Sequence, residues 1–246
     1  MNVSKQKSAK IINIIILFVI VALVATVIVL LFKQQQAVDS RTDSQKYYDA
    51  KCLSYATQNF NLSKGQIVFV GDSITDMYVL DDHYASLNRA CYNRGIGGDT
   101  TAGVLNRLQV SVFDLVPSTV VLMIGTNDIN GNQPEEDILN RYREIINKIT
   151  TSLPGAKLYC VSIIPQNKQL EEYSAINVNQ TTEAILQINP KIRKIVEDSG
   201  AVYIDLFPLL ADSDNFLITE YSDDGIHLNE KGLSVWTQQM LPLLSD

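Results

Sequence analysis

The sequence predicts an α/β domain with three layers, in which a five-stranded parallel sheet lies between two layers of helices, preceded by one transmembrane helix. Short apolar runs with few charges alternate along the chain with longer amphipathic runs. Strands buried on both faces have this composition, and regular alternation with helices is typical of a parallel sheet. An uncharged apolar run near the N-terminus predicts the membrane helix.

The elements follow from these runs and from the residues between them. The predicted strands cover residues 66–70, 90–93, 119–124, 157–164 and 201–205. The predicted helices cover residues 45–60, 100–108, 134–152, 174–199 and 230–244. Pro190 predicts that the 174–199 stretch is two helices, because proline lacks the N–H that a helix interior needs. Residues 165–180 form the longest irregular stretch and are a candidate loop over a ligand site.

The apolar run at residues 11–32 predicts a transmembrane anchor, since it holds no charged side chain and is long enough to cross a bilayer. Lys5, Lys7 and Lys10 precede this run, and only Lys33 follows it closely. The positive-inside tendency therefore places the N-terminus in the cytoplasm and the chain after the anchor outside the cell membrane.

This interpretation divides the chain into four parts. Residues 1–10 are the cytoplasmic N-terminus, 11–32 the anchor, 33–45 a polar spacer and 46–246 the folded domain. Two alternatives remain for the apolar run. A cleaved signal peptide would leave the domain secreted, although signal sequences usually have a shorter apolar core. A core helix of a soluble protein is the other alternative.

Charge and cysteine content limit the function of the folded part. The chain has 20 Lys and Arg against 27 Asp and Glu, and the acidic residues all follow the apolar run. A nucleic-acid partner is not expected, because phosphate contacts need clustered Lys and Arg. Cys52, Cys91 and Cys160 are widely spaced without a Cys-x-x-Cys motif, which argues against a metal or redox centre. One disulfide is compatible with an extracellular domain, but the sequence does not choose the pair.

Four polar motifs are predicted to lie at one edge of the sheet. They are Val-Gly-Asp-Ser-Ile-Thr at 70–75, Asn-Arg-Gly-Ile-Gly-Gly-Asp-Thr at 93–100, Gly-Thr-Asn-Asp at 125–128 and Asp-Gly-Ile-His at 224–227. Taken singly, they also fit a helix cap, a tight glycine loop, an Asx turn and a surface Asp–His pair. Ligands of parallel sheets bind beyond the carboxyl ends of the strands, so the four motifs together predict a site at that edge.

The residue types in these motifs suit serine-dependent catalysis. A serine such as Ser73, at a strand-to-helix turn, is exposed and surrounded by backbone N–H groups. His227 is able to accept a hydroxyl proton near neutral pH, and Asp224 is close enough in sequence to orient it. The Asn127 amide is able to donate to a developing negative charge.

The other histidine, His83, follows two aspartates in a polar stretch. We expect it to be a surface residue. The cluster formed by Asp81, Asp82 and His83 is interpreted as a solvated loop and not as a metal site.

Together, the four motifs resemble the conserved blocks of the SGNH (GDSL) hydrolase family, over about residues 62–244. Ile74 stands where the family usually has Leu. The resemblance implies a flavodoxin-like α/β/α fold. It further implies catalytic and oxyanion-hole residues: Ser73 as nucleophile, His227 as general base, Asp224 as the residue that orients His227, and an oxyanion hole formed by the Ser73 and Gly98 N–H groups and the Asn127 side chain.

Two further residues are given supporting roles. Asn93 is expected to brace the glycine loop, and Asp72 to hold the turn at Ser73. The resemblance requires no metal or cofactor.

The resemblance implies hydrolysis of carboxylic esters through an acyl-enzyme. A position outside the membrane favours esters of sugars, glycans or lipids. The form of the motif at 93–100 resembles members that act on short acyl groups, particularly acetyl. Two alternatives remain: an O-acyltransferase with the same catalytic residues, and a non-catalytic glycan-binding module.

Overall fold

The computed structural model describes residues 2–39, 41–172 and 174–245. The chain divides into two compact units, Met1–Tyr47 and Tyr48–Asp246. The first unit contains helix α1 (Asn2–Asp39). Its stretch Ile15–Gln35 is long and apolar enough to cross a membrane, a property that anchors share with signal sequences. Helical conformation thus extends into residues 33–39 of the predicted spacer.

Helix α2 (Asp43–Gln58) leads into the second unit, which contains the sheet. The strands are β1 (Ile67–Gly71), β2 (Cys91–Gly95), β3 (Thr119–Met123), β4 (Lys157–Val161) and β5 (Val202–Ile204). The further helices are α3 (Ser73–Asp76), α4 (Leu80–Tyr84), α5 (Thr101–Ser111), α6 (Thr126–Asn130), α7 (Glu135–Ser152), α8 (Val178–Asp198), α9 (Phe207–Leu210) and α10 (Glu230–Leu244). Short 3-10 helices cover Phe113–Leu115, Lys168–Glu172 and Thr219–Tyr221.

The five strands form one parallel sheet in the order β2-β1-β3-β4-β5. Gly71 at the end of β1 is in register with Gly95 of β2 and Met123 of β3. The carboxyl ends of these three strands are therefore level. The strand order reverses at β1 and β3, and the crevice at such a switch point is the usual ligand site of this topology.

Alternate residues of the strands support two separate helical layers. Val68 and Val70 of β1 belong to a core cluster with buried residues of α5, α7 and α8. Ile67 and Phe69 belong to a second cluster with residues of α3, α4 and α10, including the fully buried Trp236. Because side chains alternate across a strand, this arrangement is the predicted three-layer α/β/α fold. All five predicted strands are present, although β4 ends three residues before its predicted end.

Helix α8 corrects one prediction. Pro190 lies inside a single helix, Val178–Asp198, and does not divide it. Ile185, Ile188 and Ile192 are buried along one face, while Pro190 is exposed. Burial of that face offsets the hydrogen bond that proline removes, and on the exposed face the freed carbonyl is accessible to water.

The expectation for His83 was also wrong. Asp81 to His83 belong to α4, not to a loop, and the His83 side chain is only 6% exposed. Its ring lies 4.8 Å from that of Tyr78, and its Nδ1 is 2.9 Å from the Thr237 hydroxyl. The helix turns His83 inward while the two aspartates stay exposed, a distinction that a polar sequence stretch does not reveal.

The three cysteines are free thiols in the structure. Cys160 is buried in β4, while Cys52 and Cys91 are partly buried. Burial raises the pKa of both Cys91 and Cys160 to about 12. These two therefore serve as small apolar side chains and are poor nucleophiles at neutral pH.

Candidate active site

Ser73 is the first residue of α3, directly beyond the carboxyl end of β1. Asp72 caps this helix, and its Oδ1 accepts a hydrogen bond from the Ile74 N–H at 3.1 Å. The cap holds a sharp turn that leaves the Ser73 side chain half-buried. The first N–H groups of a helix have no partner within it, so the Ser73 N–H is not engaged by the ladder of α3.

His227 and Asp224 meet Ser73 from the loop before α10. His227 Nε2 lies 2.8 Å from Ser73 Oγ, and His227 Nδ1 lies 2.6 Å from Asp224 Oδ2. An ionised carboxylate only accepts hydrogen bonds, so the Nδ1–H donates to Asp224. That tautomer leaves Nε2 as the acceptor for the Ser73 hydroxyl.

Short-range hydrogen bonds hold Asp224 in place. Its Oδ1 accepts from the backbone N–H groups of Ile226 at 2.9 Å and His227 at 2.8 Å. Burial alone would raise the pKa of Asp224, but these bonds and the one from the His227 ring hold it below its ordinary value. Asp224 is therefore ionised at neutral pH and suited to orienting the imidazole.

The loop after β2 and the start of α6 approach the same edge of the sheet. Gly98 is exposed and has a φ of +76°, a left-handed conformation that favours glycine. The Asn127 Nδ2 donates to the carbonyl oxygen of Asp99 at 2.8 Å. An amide NH₂ has two donors, so this contact fixes the side chain and leaves one N–H for another acceptor.

A buried arginine connects the strand ends below these loops. Arg107 Nε donates to Asp99 Oδ2 at 2.7 Å, and the two side chains are 1% and 2% exposed. The same guanidinium donates to the carbonyl oxygens of Arg94 at 2.7 Å and Gly71 at 2.9 Å, and to the Ser111 hydroxyl. Arg107 therefore ties the ends of β1 and β2 to the loop that contains Gly98.

A second buried carboxylate, Asp128, fixes the start of α5. It accepts from the Thr101 N–H at 2.9 Å and the Thr101 hydroxyl at 2.6 Å, and pairs with Arg141 at 3.2 Å. Since Asp128 follows Asn127, these contacts also hold the backbone that presents the Asn127 amide.

Asn93 contacts both its own glycine motif and the segment that follows Ser73. Its Nδ2 donates to the carbonyl oxygens of Thr75 at 2.6 Å and Tyr78 at 2.9 Å, while its Oδ1 accepts from the Gly95 N–H. It thus joins β2 to the end of the helix that begins at Ser73. At Gly95, an added Cβ would lie 2.2 Å from the Asp76 backbone nitrogen, so glycine is required for this close approach.

Asp72 is fully buried, and its Oδ2 has no hydrogen-bond partner in the described part of the chain. Burial, together with the nearby carboxylates of Asp99 and Asp128, raises the pKa of Asp72 to about 7 in spite of the hydrogen bond from Ile74. The helix cap at Ser73 is thus built on an energetically costly group.

The loop after β4 packs against the Asp224–His227 turn. The Asn167 N–H donates to the Gly225 carbonyl oxygen at 2.7 Å, and its Nδ2 donates to that of Leu217 at 2.5 Å. The irregular segment predicted at 165–180 therefore supports the turn. Tyr173, within that segment, lies outside the described residues.

The structure thus brings Ser73, His227 and Asp224 into hydrogen-bonding distance. It places Gly98, on the loop after β2, and Asn127, in the first turn of α6, at the same edge of the sheet. Sequence reasoning missed Arg107 and Asn167 as supports. A signal existed for Arg107, which lies between Val104 and Leu108 on the buried face of an amphipathic helix. A long polar side chain in that position requires buried partners. Asn167 lies in an irregular loop with no such pattern.

Known proteins are similar to this chain in sequence and in fold. Human platelet-activating factor acetylhydrolase IB subunit alpha2 is 28% identical over 144 residues, which is 56% of this chain and 62% of that protein. Its Gallus gallus counterpart is 30% identical over 144 residues. The chain thus aligns with less than two thirds of the length of these curated relatives.

A solved structure from Streptococcus pneumonia, whose description names platelet activating factor, has a TM-score of 0.75 and 25% identity. The structural alignment covers 89% of this chain and 99% of the solved chain. The sequence model of the GDSL-like Lipase/Acylhydrolase family matches residues 69–234, more than half of the chain. The chain therefore belongs to the GDSL-like lipase/acylhydrolase family.

Proposed function

We propose that the protein is a serine hydrolase of carboxylic esters, with Ser73 as nucleophile, His227 as general base and Asp224 as the residue that orients it. One observation carries this proposal: the hydrogen-bonded series from Ser73 Oγ through His227 to Asp224, with distances of 2.8 Å and 2.6 Å. A helix cap alone would not require a histidine on the serine hydroxyl. Family membership independently supports ester hydrolysis.

The geometry suits a two-step reaction. Ser73 Oγ forms a bond to the ester carbonyl carbon while its proton moves to His227 Nε2. The tetrahedral intermediate breaks its bond to the alcohol oxygen, which takes that proton from His227. Water then attacks the acyl-serine, with His227 again accepting and returning a proton, and the products are the free acid and Ser73.

The proposed oxyanion hole is formed by the Ser73 N–H, the Gly98 N–H and the Asn127 side chain. Two features support it. Ser73 is at the first position of a helix, where N–H groups have no intrahelical partner. The Asp99 carbonyl engages one N–H of Asn127, which orients the other. Preorganised donors of this kind stabilise the negative charge on the carbonyl oxygen in the transition state.

The proposed substrates are short acyl esters, particularly acetyl esters, of a sugar, glycan or lipid. The name of the curated relatives, platelet-activating factor acetylhydrolase, specifies removal of an acetyl group. The form of the motif at 93–100, which resembles that of family members acting on acetyl groups, also supports an acetyl ester as substrate. The alignment covers only 62% of these relatives. Their activity is therefore not transferred to this chain, and both the acyl group and the alcohol of the substrate are proposed here.

An ester panel with full-length protein in detergent tests this function. p-Nitrophenyl acetate is expected to be cleaved faster than the decanoate, and Ser73→Ala is expected to remove the activity. Ser86→Ala is a matched control, because Ser86 is exposed and lies outside the four motifs in the sequence. Undiminished activity in Ser73→Ala would refute the catalytic assignment. A preference for decanoate would refute only the acetyl specificity, and acylated product upon adding sugar acceptors would indicate acyl transfer.

We further propose that α1 anchors the domain on the outer side of the cell membrane. The apolar stretch Ile15–Gln35 and the lysines that precede it support this topology. Protease added to intact cells is expected to degrade the domain, and the protein is expected to remain in the membrane fraction. Full protection from protease would contradict the topology, whereas release into the medium would indicate a signal peptide.

A further inference from the structure

One face of α2 contacts helices and a strand that lead to the candidate site, although α2 precedes the region matched by the family model. The Tyr48 hydroxyl donates a hydrogen bond to the carbonyl oxygen of Gly103, in α5, at a distance of 2.8 Å. The Tyr55 hydroxyl donates to the carbonyl oxygen of Gly95, at the end of β2. Between these two tyrosines, Lys51 Nζ lies 2.6 Å from Asp76 Oδ1. Three side chains spaced one helical turn apart thus reach α5, β2 and α3.

The contact between Lys51 and Asp76 extends to the glycine loop. Asp76 is the last residue of α3, the helix that begins at Ser73. Its Oδ1 accepts from Lys51, and its Oδ2 accepts from the Gly97 N–H at 3.1 Å. One carboxylate therefore connects α2, the end of the serine helix and the Ile96–Gly97 peptide unit, which precedes the unit that carries the Gly98 N–H.

The neighbours of Lys51 hold its ammonium group in a defined position. The side chains of Lys51 and Asp76 are 27% and 16% exposed, so the pair is less screened than a surface salt bridge. The ammonium also lies 5.4 Å from the centre of the Tyr55 ring. Burial alone would lower the pKa of Lys51, but its hydrogen bond to Asp76 and the proximity of Tyr55 raise it above the ordinary value. Lys51 is therefore charged at neutral pH.

We propose that Lys51 is a positioning residue for the oxyanion hole, acting through Asp76 to fix the Gly97 peptide and thereby the direction of the Gly98 N–H. This inference rests on the proposed ester hydrolysis. An exposed glycine with a positive φ has little local restraint of its own. The Asp76 contact supplies a restraint one residue away. A donor held in place before the reaction stabilises the oxyanion without the cost of reorganisation.

The test compares Lys51→Met, Lys51→Arg and the wild type as full-length proteins in detergent. For p-nitrophenyl acetate, Lys51→Met is expected to lower kcat by about 10-fold and to leave KM nearly unchanged, because the oxyanion forms only in the transition state. Lys51→Arg retains the charge and is expected to recover most of the lost kcat. Lys46→Met is the control on the same helix, since Lys46 is about half exposed and pairs only weakly with Asp43 at 3.8 Å.

A double-mutant cycle tests the route through Asp76. Lys51→Met is expected to have almost no further effect on kcat when Asp76 is already replaced by asparagine. A Lys51→Met protein with wild-type kcat would overturn the inference, as would a loss of kcat that is fully additive with Asp76→Asn. If Lys51→Met does not fold, a lower kcat in a folded Lys51→Gln protein supports the inference and an unchanged kcat refutes it. An active Ser73→Ala protein would refute the proposed function itself.

Discussion

The two sides of the candidate site are held in place by different means. On the β1 side, the turn at Ser73 depends on side chains from distant parts of the chain, namely Arg107 of α5 and Asn93 of β2. On the other side, Asp224 is held mainly by N–H groups of residues two and three positions away. The β1 side is buried, whereas the Asp224 and His227 side chains are 47% and 27% exposed.

Because of this difference, we expect substitutions on the two sides to affect the stability of the fold and catalysis to different extents. Changes on the β1 side are expected to disturb the core and the site together, because buried charges there satisfy the ends of two strands. Changes in the Asp224–His227 turn are expected to affect catalysis while the fold is largely retained. Three substitutions test this contrast, in decreasing order of effect.

His227→Ala is expected to have the largest effect. Without the base, kcat for p-nitrophenyl acetate falls by about 10⁴-fold or more. The backbone bonds from the turn to Asp224 remain, so the free energy of unfolding changes by about 1 kcal/mol or less. Steady-state kinetics and urea unfolding measure the two quantities. A large loss of stability would show that the turn is as closely tied to the core as the β1 side.

Arg107→Met is expected to reduce the free energy of unfolding by about 3–5 kcal/mol. The substitution leaves the Asp99 carboxylate buried without its cation and removes the donor to two strand-end carbonyls. Arg193→Met is the control, because Arg193 also pairs with an aspartate, Asp205, but with both side chains partly exposed. Its cost is expected to be about 1 kcal/mol or less. Equal costs for the two variants, measured by urea unfolding, would contradict the special role of the buried pair.

Asp72→Asn is expected to stabilise the protein, and more so as pH rises. In the native state burial raises the pKa of Asp72 to about 7, against an ordinary 3.8. Between these values the native state binds more protons than the unfolded chain, so the contribution of Asp72 to stability falls with increasing pH. Asparagine retains an oxygen to cap Ile74 and carries no charge. The gain is expected to be about 1–3 kcal/mol at pH 8 and smaller at pH 4. A gain independent of pH would contradict this origin.

Sequence reasoning predicted most of the sheet and the residues that carry the proposed chemistry. Strands such as β1 and β3 are continuous apolar runs, and Ser73 follows one of them directly. The short-range sequence pattern was therefore sufficient to predict both the strands and the position of Ser73. The helices α3, α4, α6 and α9 were not predicted, because four or five residues are too few to show a helical period. Pro190 was judged by its local effect alone, and burial of the opposite face of α8 outweighed that effect.

The supporting residues were harder to predict, because their role depends on distant partners. Lys51 lies on an ordinary polar helix, and only the fold places it beside Asp76. His83 has two aspartates before it in the sequence, but α4 turns its ring towards Tyr78. Motif spacing identifies the groups that carry out chemistry, whereas contacts between distant residues decide what holds them.

The most direct measurement of the central claim is the site of covalent labelling by a fluorophosphonate. In full-length protein, mass spectrometry of the digested product is expected to show one adduct, on Ser73. The rate of labelling is expected to fall strongly in His227→Ala, because the hydroxyl then lacks the base 2.8 Å away. An adduct on a different residue, or equal labelling rates in the wild type and His227→Ala, would contradict the account.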